Sequence, residues 1–177
     1  MLRKSLRSVY AEHTGKVSHK YELYLDIYDR VFGPFRERSI DLVEVGVQNG
    51  GSLEIWLQYF PRARCLVGCD IDPHVAALRF ADPRIHVVVG AINERATSEQ
   101  IVRHAPEFDI FIDDGSHSSK DINATFYNYF HRVRPGGRYG ATRSASEAFS
   151  FQWALCTASA RVRRNPIEPP GASRPPP

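Results

Sequence analysis

The sequence predicts an α/β fold with a doubly wound, mostly parallel sheet, and three observations predict it. Short runs rich in Val, Ile and Leu alternate with helical stretches along the middle of the chain. Each run ends at a glycine or a carboxylate, where a buried strand would give way to a turn. The 177 residues give room for one domain with a substantial core. Strands that alternate with helices pair in parallel through right-handed crossovers.

A glycine-rich turn joins the first strand to its helix, and the rest of the chain is organised around it. Residues 40–47 are mostly β-branched and apolar, and the glycines at 46, 50 and 51 follow. An apolar helical face then runs from Leu53 to Phe60, with Ser52 as the expected N-cap. Such a turn points unpaired backbone N–H groups at a ligand above the strand end. An ordinary strand-to-helix junction would contain the same glycines, so this turn alone does not decide between the two interpretations.

The other elements are predicted in order along the chain. Helices are expected up to about residue 33 and at 74–80, 98–104 and 121–134; strands are expected at 64–71, 85–89, 108–112 and 138–142. An aromatic stripe in the first helical stretch indicates packing on the core: Tyr21, Tyr24, Leu25, Tyr28, Val31, Phe32. Residues 1–34 would form a helical segment and 35–143 the ligand-binding domain. Residues 144–177, rich in Ala, Ser, Arg and Pro, would be largely disordered, with the last strands of the sheet missing.

Composition excludes several classes of function. The formal net charge of +3 is mild, and no basic face with interleaved aromatics occurs, so we expect no nucleic-acid partner. The three cysteines form no CxxC pair, which indicates buried thiols in a reducing compartment. No secretory leader and no apolar run of membrane-spanning length is found, so the expectation is a soluble cytoplasmic protein without a membrane partner.

Four points that suit ligand binding share one property, which is that each follows a predicted strand. They are Glu44 with Gly46, Asp70, Gly90, and the pair Asp113 and Asp114. In a doubly wound sheet the carboxyl ends of the strands line one crevice. Asp70 follows the glycine turn by about twenty residues, the spacing at which a carboxylate accepts both hydroxyls of a ribose. Taken alone, Asp70 would also suit a helix cap.

At these residues the chain resembles class I S-adenosylmethionine-dependent methyltransferases, which have a Rossmann-like sheet. The first motif of that family is an acidic residue, an apolar residue and then G-x-x-x-G, which here runs from Glu44 to Gly50. The resemblance implies that Gly46 and Gly50 approach the methionyl part of the cofactor and that Glu44 helps to order its ammonium side. It also implies that Asp70 binds the ribose and that Gly90 borders the adenine. By the same resemblance, we expect Asp113 to be a cofactor-binding residue.

A narrower resemblance is to the macrocin and mycinamicin sugar O-methyltransferases and the cephalosporin-hydroxylase-like proteins. Three motifs carry it: S-H-K-Y-E-L-Y from residue 18, E-V-G-V-Q-N-G-G-S-L-E-I-W from residue 44, and I-D-D-G-S-H from residue 112. It implies a small hydroxylated substrate, with Asp114 as a ligand of Mg²⁺ and His117 as the base. Mg²⁺ takes carboxylate oxygens and would polarise the substrate hydroxyl, whose proton His117 would remove. Without the resemblance, Asp113 and Asp114 would equally suit a turn or cap ahead of the next helix, and His117 a polar residue at that helix's N-terminus.

The sequence departs from this subgroup after Tyr139. Relatives place an acidic pair, usually Glu-Asp, shortly after the Arg-Tyr, whereas this chain reads G-A-T-R-S-A-S-E and Glu147 lies too far along. We therefore hypothesise an out-of-frame or truncated C-terminus that spares cofactor binding and impairs metal binding and turnover. Two rivals stay open at this point: a catalytically dead remnant, and a protein that binds NAD or a nucleotide sugar, which the G-x-x-x-G spacing disfavours. An uncovered sheet edge would favour a homo-oligomer of unfixed size.

Overall fold

One six-stranded sheet forms the centre of the molecule, in the strand order β3-β2-β1-β4-β5-β6. The computed structural model describes residues 3–20, 22–142 and 151–155. The strands are β1 (Asp41–Val45), β2 (Cys65–Asp70), β3 (Ile85–Val89), β4 (Phe108–Asp113), β5 (Val133–Thr142) and β6 (Phe151–Leu155). The first five pair in parallel, and β6 pairs antiparallel with β5. The predicted α/β, doubly wound and Rossmann-like fold is confirmed.

Five α-helices are described: α1 (Leu6–Ala11), α2 (Glu22–Phe32), α3 (Gly51–Tyr59), α4 (Arg95–His104) and α5 (Ser119–Tyr129). Short 3-10 helices cover Gly33–Phe35, Pro73–Ala77 and Phe130–Arg132. The helix predicted at 74–80 is therefore wrong, because the chain there makes a brief 3-10 turn after Pro73. The helix predicted at 121–134 ends at Tyr129, and Val133 opens β5. Val133 pairs with Phe108 in β4, so strand pairing begins where the helix was expected to continue.

The predicted cap of α3 is also wrong. Gly50, with φ of +80°, occupies the N-cap position, because the turn reaches the helix through left-handed backbone. The Ser52 hydroxyl donates instead to Glu44 Oε2 at 2.6 Å. A hydroxyl drawn toward a buried carboxylate cannot cap its own helix, so tertiary contact overrides the local preference.

Two apolar clusters lie on opposite faces of the sheet. On one face the aromatic stripe of α2 packs on α3, with the Tyr28 and Trp56 rings 5.4 Å apart in an edge-on contact. The Tyr59 hydroxyl also donates to Asp29 at 2.7 Å, which joins α3 to α2. On the other face Phe111 stacks on Tyr139 at 5.0 Å. The N-terminal segment is therefore part of the same core as the sheet.

The expected disordered tail, residues 144–177, lies outside the described residues except for β6. The sequence suggested that the last strands of the sheet, beyond residue 143, are missing. The structure has one strand there, in register with β5 from Thr142 opposite Phe151 to Arg138 opposite Leu155. Among the described residues, no helix combines the length and apolar composition needed to cross a bilayer.

Cys65 and Cys69 are buried free thiols on β2. Burial raises the pKa of Cys65 to about 11 and that of Cys69 to about 12. Because the thiolate is the reactive form, we expect iodoacetamide to alkylate both at least about a hundredfold more slowly at pH 8 than in urea. The measurement is mass spectrometry of a Cys156→Ser variant, and rapid labelling of the folded protein would contradict the burial of these thiols.

Candidate active site

A cavity of about 450 Å³ opens at the carboxyl ends of the central strands, a size usual for small-molecule sites. Its walls come from the turn after β1, the ends of β2 and β3, and the loop from β4 to α5. The lining residues used below are Gly46, Asp70, Gly90, Asp113, Asp114 and His117. Six of the eight predicted site residues therefore share one cavity, while Glu44 and Gly50 are not among its lining residues.

Gly46 makes the turn possible. It has φ of +82°, and its N–H donates to the Cys69 carbonyl at 2.8 Å. A Cβ built on Gly46 would lie 2.2 Å from the backbone oxygen of Asp114, so the turn and the end of β4 approach too closely for any side chain. Gly50 meets a different neighbour, since its Cβ would lie 2.7 Å from the Phe80 ring. Gly46 therefore shapes the cavity wall, and Gly50 shapes the entry to α3.

We expect Gly46→Ala to abolish ligand binding in this cavity, because the new methyl group must push the turn away from β4. Gly136→Ala is the control, since Gly136 also has φ of +82° but nothing lies within 4 Å of its Cβ position. Both variants bear the backbone strain, about 1–2 kcal/mol, so urea unfolding should show at least that cost in each. Calorimetry with S-adenosylmethionine, the ligand that the predicted family uses, checks the difference. Equal binding by the two variants would contradict the steric account.

Asp70 fastens the glycine turn to the end of β2. Its Oδ2 accepts the Gln48 N–H at 2.8 Å, and its Oδ1 accepts the Asp72 N–H at 3.0 Å. Gln48 has φ of +45°, an unusual conformation for a residue with a side chain, and this hydrogen bond helps to hold it. Beside Asp70, the Gly90 N–H donates to the Asp70 carbonyl at 2.9 Å. Gly90 has φ of +149°, and a Cβ there would strike the Thr97 hydroxyl at 2.3 Å. Asp70 therefore places a carboxylate at the cavity wall, where ribose hydroxyls can be recognised.

Glu44 lies beneath the cavity, with a fully buried side chain. Its Oε2 accepts the Ser52 hydroxyl, and its Oε1 lies 2.9 Å from Lys20 Nζ. Lys20 also lies 2.8 Å from Asp114 Oδ2. Burial alone would lower the pKa of Lys20, but Glu44 and Asp114 outweigh it and raise that pKa well above its usual value. The acidic end of β1 is thus paired with a lysine and turned away from the cavity.

The adjacent carboxyls Asp113 and Asp114 have opposite electrostatic environments. Burial raises the pKa of Asp113, and the Gly115 N–H that donates to it at 3.2 Å only partly offsets this. Burial also acts on Asp114, but Lys20 and the Thr142 hydroxyl outweigh it and lower the pKa of Asp114. A pair of acids whose pKa values are driven apart in a cavity marks a candidate functional site.

His117 follows this pair with φ of +58°, in the left-handed region that costs energy for a residue with a side chain. Its Nδ1 lies 3.2 Å from the Thr142 carbonyl and 3.0 Å from the Thr142 hydroxyl. A carbonyl oxygen can only accept, so Nδ1 carries the proton in that bond and Nε2 keeps its lone pair. The Thr142 hydroxyl in turn donates to Asp114 Oδ1 at 2.5 Å. A hydrogen-bonded chain thus orients the imidazole and leaves Nε2 as the basic atom.

Sequence reasoning missed two residues of this arrangement. Thr142 ends β5, the next parallel strand beside β4, so the rule that picked the other strand ends could have found it. Lys20 lies in the N-terminal segment and pairs with Asp114 across 94 positions of sequence. The S-H-K-Y-E-L-Y motif from residue 18 contains this lysine, but the motif alone does not indicate which carboxylate it contacts.

A match to a protein-family model shows to which family this fold belongs. A family model described as a methyltransferase domain matches residues 43–139, just over half of the chain. The chain belongs to this methyltransferase family. The matched region begins within β1 and ends within β5, so the methyltransferase domain holds the cavity wall from the glycine turn to the loop containing His117.

Several curated proteins that are similar in sequence to this chain are sugar O-methyltransferases. One is the 8-demethyl-8-alpha-L-rhamnosyl tetracenomycin-C 2'-O-methyltransferase of Streptomyces olivaceus, which is 37% identical to this chain over 123 residues. The alignment covers 66% of this chain and 32% of that protein. The mycinamicin VI 2''-O-methyltransferase of Micromonospora griseorubida is 37% identical over 121 residues, 63% of this chain and 29% of its own. This methyltransferase domain therefore spans about a third of the length of the curated relatives it matches.

A solved structure gives the same likeness in three dimensions. The MycE methyltransferase from the mycinamycin biosynthetic pathway, in complex with Mg and SAH, matches with a TM-score of 0.67 and 29% identity. The match covers 80% of this chain and 37% of that one. A second MycE structure, with Mg, SAH and mycinamycin VI, has a TM-score of 0.66.

Within the described ranges of the methyltransferase, no three His, Cys, Asp or Glu side chains group as metal ligands. Asp114, the predicted Mg²⁺ ligand, has one oxygen on Lys20 and the other on Thr142. These residues do not by themselves fit a Mg²⁺ ion, which prefers near-octahedral oxygen coordination. Glu147, the first acidic residue after β5 in the sequence, lies outside the described residues.

Proposed function

We propose that this chain binds S-adenosylmethionine and takes part in transferring its methyl group to a hydroxyl of a small molecule, a sugar or another secondary metabolite. The observation that carries the proposal is the shared cavity, because Asp70, Gly46 and His117 all line one space of the size usual for small-molecule sites. Family membership and the likeness to MycE with SAH support the choice of cofactor. The named relatives, all O-methyltransferases of glycosylated natural products, support the class of acceptor.

S-adenosylmethionine, when bound, supplies an electrophilic methyl group on a sulfonium and leaves as a neutral thioether. The residues of this chain bind and orient. Asp70 accepts hydrogen bonds from the ribose hydroxyls, and Gly46 lets the backbone approach the methionyl part. Gly90 borders the adenine, at the end of β3 on the far side of Asp70. Asp113 closes the floor of the cavity beside the cofactor.

His117 deprotonates the acceptor in this proposal. As the acceptor oxygen bonds to the methyl carbon, the carbon–sulfur bond breaks and the hydroxyl proton moves to His117 Nε2. The resulting imidazolium is stabilised by the chain from Nδ1 through Thr142 to Asp114, whose negative charge lies nearby. No step is derived through a metal ion, and assistance by Mg²⁺ stays a prediction that the Mg-containing MycE structures motivate.

The second candidate function is S-adenosylmethionine binding without turnover. The sequence favours it because no acidic pair follows Tyr139, where the resemblance to the sugar O-methyltransferases implies one. Methyl transfer from tritiated S-adenosylmethionine to glycosylated macrolide or rhamnosyl acceptors, with and without Mg²⁺, separates the two candidates. Labelled product supports the transferase, whereas tight cofactor binding without product across the acceptors would favour binding alone. A homo-oligomer, a cytoplasmic location and the absence of a nucleic-acid partner stay predictions.

A further inference from the structure

A lysine ammonium lies between the acidic ends of β1 and β4. Lys20 Nζ is 2.9 Å from Glu44 Oε1 and 2.8 Å from Asp114 Oδ2, so one cation contacts two carboxylates. The Lys20 side chain is 6% exposed and that of Glu44 is fully buried. The Asp114 side chain is 20% exposed, but its partner carboxylate is shut off from water, so the two negative charges would repel each other without a cation between them. Lys20 therefore supplies a charge that the strand ends require.

The segment that carries Lys20 is itself fastened to the domain. The Tyr10 hydroxyl donates to the Ser18 carbonyl at 2.5 Å and accepts the Lys20 N–H at 3.2 Å. Nearby, the Lys16 N–H donates to Glu54 on α3 at 2.8 Å. A Cβ on Gly51 would lie 2.1 Å from the Lys16 carbonyl oxygen, so the segment lies directly against the start of α3. These contacts hold the Lys20 backbone in place and direct its side chain to the strand ends.

Each carboxylate oxygen of Asp114 already has a partner in this arrangement, and one of these partners is a cation. The Thr142 hydroxyl donates to Oδ1, and Lys20 takes Oδ2. A divalent ion bound to Oδ2 would lie close to the ammonium, where repulsion between a double and a single positive charge is large in a poorly solvated site. Replacement of one cation by the other avoids that repulsion.

We propose that Lys20 is the built-in cation of this site, a positioning residue that holds Glu44 and Asp114 together, and that a divalent metal ion binds Asp114 only by displacing it. The inference rests on the proposed function only in placing Asp114 at the methyl-transfer cavity. Metal affinity is measured without S-adenosylmethionine, so failure of either proposal is recognised separately.

The test is a Mn²⁺ titration followed by electron paramagnetic resonance of the free ion. Lys20→Met should bind Mn²⁺ at least about tenfold more tightly than the wild type, since a repelling charge is gone. Lys16→Met is the control, because Lys16 pairs with Glu54 at 3.2 Å and should leave the affinity unchanged. Adding Asp114→Asn to Lys20→Met should remove the gain. Equal affinity of Lys20→Met and the wild type, whether both bind or neither does, would overturn the proposal.

Lys20→Met takes the shared cation away from Glu44, which is fully buried, and from Asp114, so the variant could fold less well and a second measurement uses the wild type. Nitrogen-15 NMR of lysine ammonium groups should show a slowly exchanging Lys20 signal in metal-free protein, because its side chain is buried. That signal should decrease in proportion to the fraction of protein that has bound Mg²⁺. If the protein binds no Mg²⁺, the signal should stay unchanged. An unchanged signal in protein saturated with Mg²⁺, or no protected ammonium at all, would show that Lys20 does not hold this position.

Discussion

His117→Asn should lower the rate of methyl transfer by a factor of about 10²–10⁴, the usual contribution of a positioned general base. Asparagine tolerates the left-handed backbone found at φ of +58° better than most residues, so the loop should keep its shape. It has no nitrogen that can take up a proton at neutral pH. The loss should therefore appear in kcat, while the affinity for S-adenosylmethionine stays near that of the wild type.

The control for this variant is His74→Asn. His74 lies in the 3-10 turn after β2, its side chain is 92% exposed, and it pairs with Asp72. It should leave both kcat and cofactor affinity unchanged. Retention of more than about a tenth of the wild-type kcat by His117→Asn would fall short of what a general base contributes and would assign proton removal to another group.

Arg134→Met should lower the free energy of unfolding by about 3 kcal/mol, because it removes the shared partner of two buried carboxylates. Arg134 lies 2.8 Å from Asp41 and 2.7 Å from Asp109, whose side chains are 3% and 7% exposed. These acids lie at the amino ends of β1 and β4, opposite the cavity. Arg64 also pairs with Asp41, which is why the lower end of the usual cost is expected.

Urea unfolding of Arg134→Met and Arg95→Met measures this effect. Arg95 pairs with Glu99 on the surface of α4, and its side chain is 92% exposed, so its loss should cost no more than about 0.5 kcal/mol. Because Arg134 is remote from the cavity, the folded variant should still bind S-adenosylmethionine. Equal destabilisation by the two substitutions would show that the buried network contributes no more than a surface pair.

The sheet could be predicted from the sequence because its signals are local. The apolar run before Gly46 and the run before Asp113 each mark a buried strand, and each ends at a residue that faces the crevice. The rule that parallel strands end at one edge then brought Asp70 and His117 to the same cavity without any structure.

The remaining details depend on contacts that are distant in sequence. Glu44 follows the family pattern, but its buried position and its pairing with Lys20 depend on an N-terminal segment far away along the chain. Ser52 is of a residue type that often caps helices, yet its hydroxyl donates to Glu44 because that buried carboxylate needs a partner. Val133 fits the helical period of α5, but pairing with Phe108 in β4 makes it the start of a strand. Tertiary pairing outweighs local preference at each of these positions.

Calorimetry of S-adenosylmethionine binding to the wild type, Asp70→Asn and Asp72→Asn tests the central claim most directly. We predict wild-type binding with Kd on the order of micromolar. Asp70→Asn should weaken it about tenfold to a hundredfold, because hydrogen bonds from the ribose to a charged group are lost. Asp72→Asn should leave it unchanged, since Asp72 bonds to His74 and is not a lining residue of the cavity. A well-folded wild type that binds no S-adenosylmethionine would contradict the account.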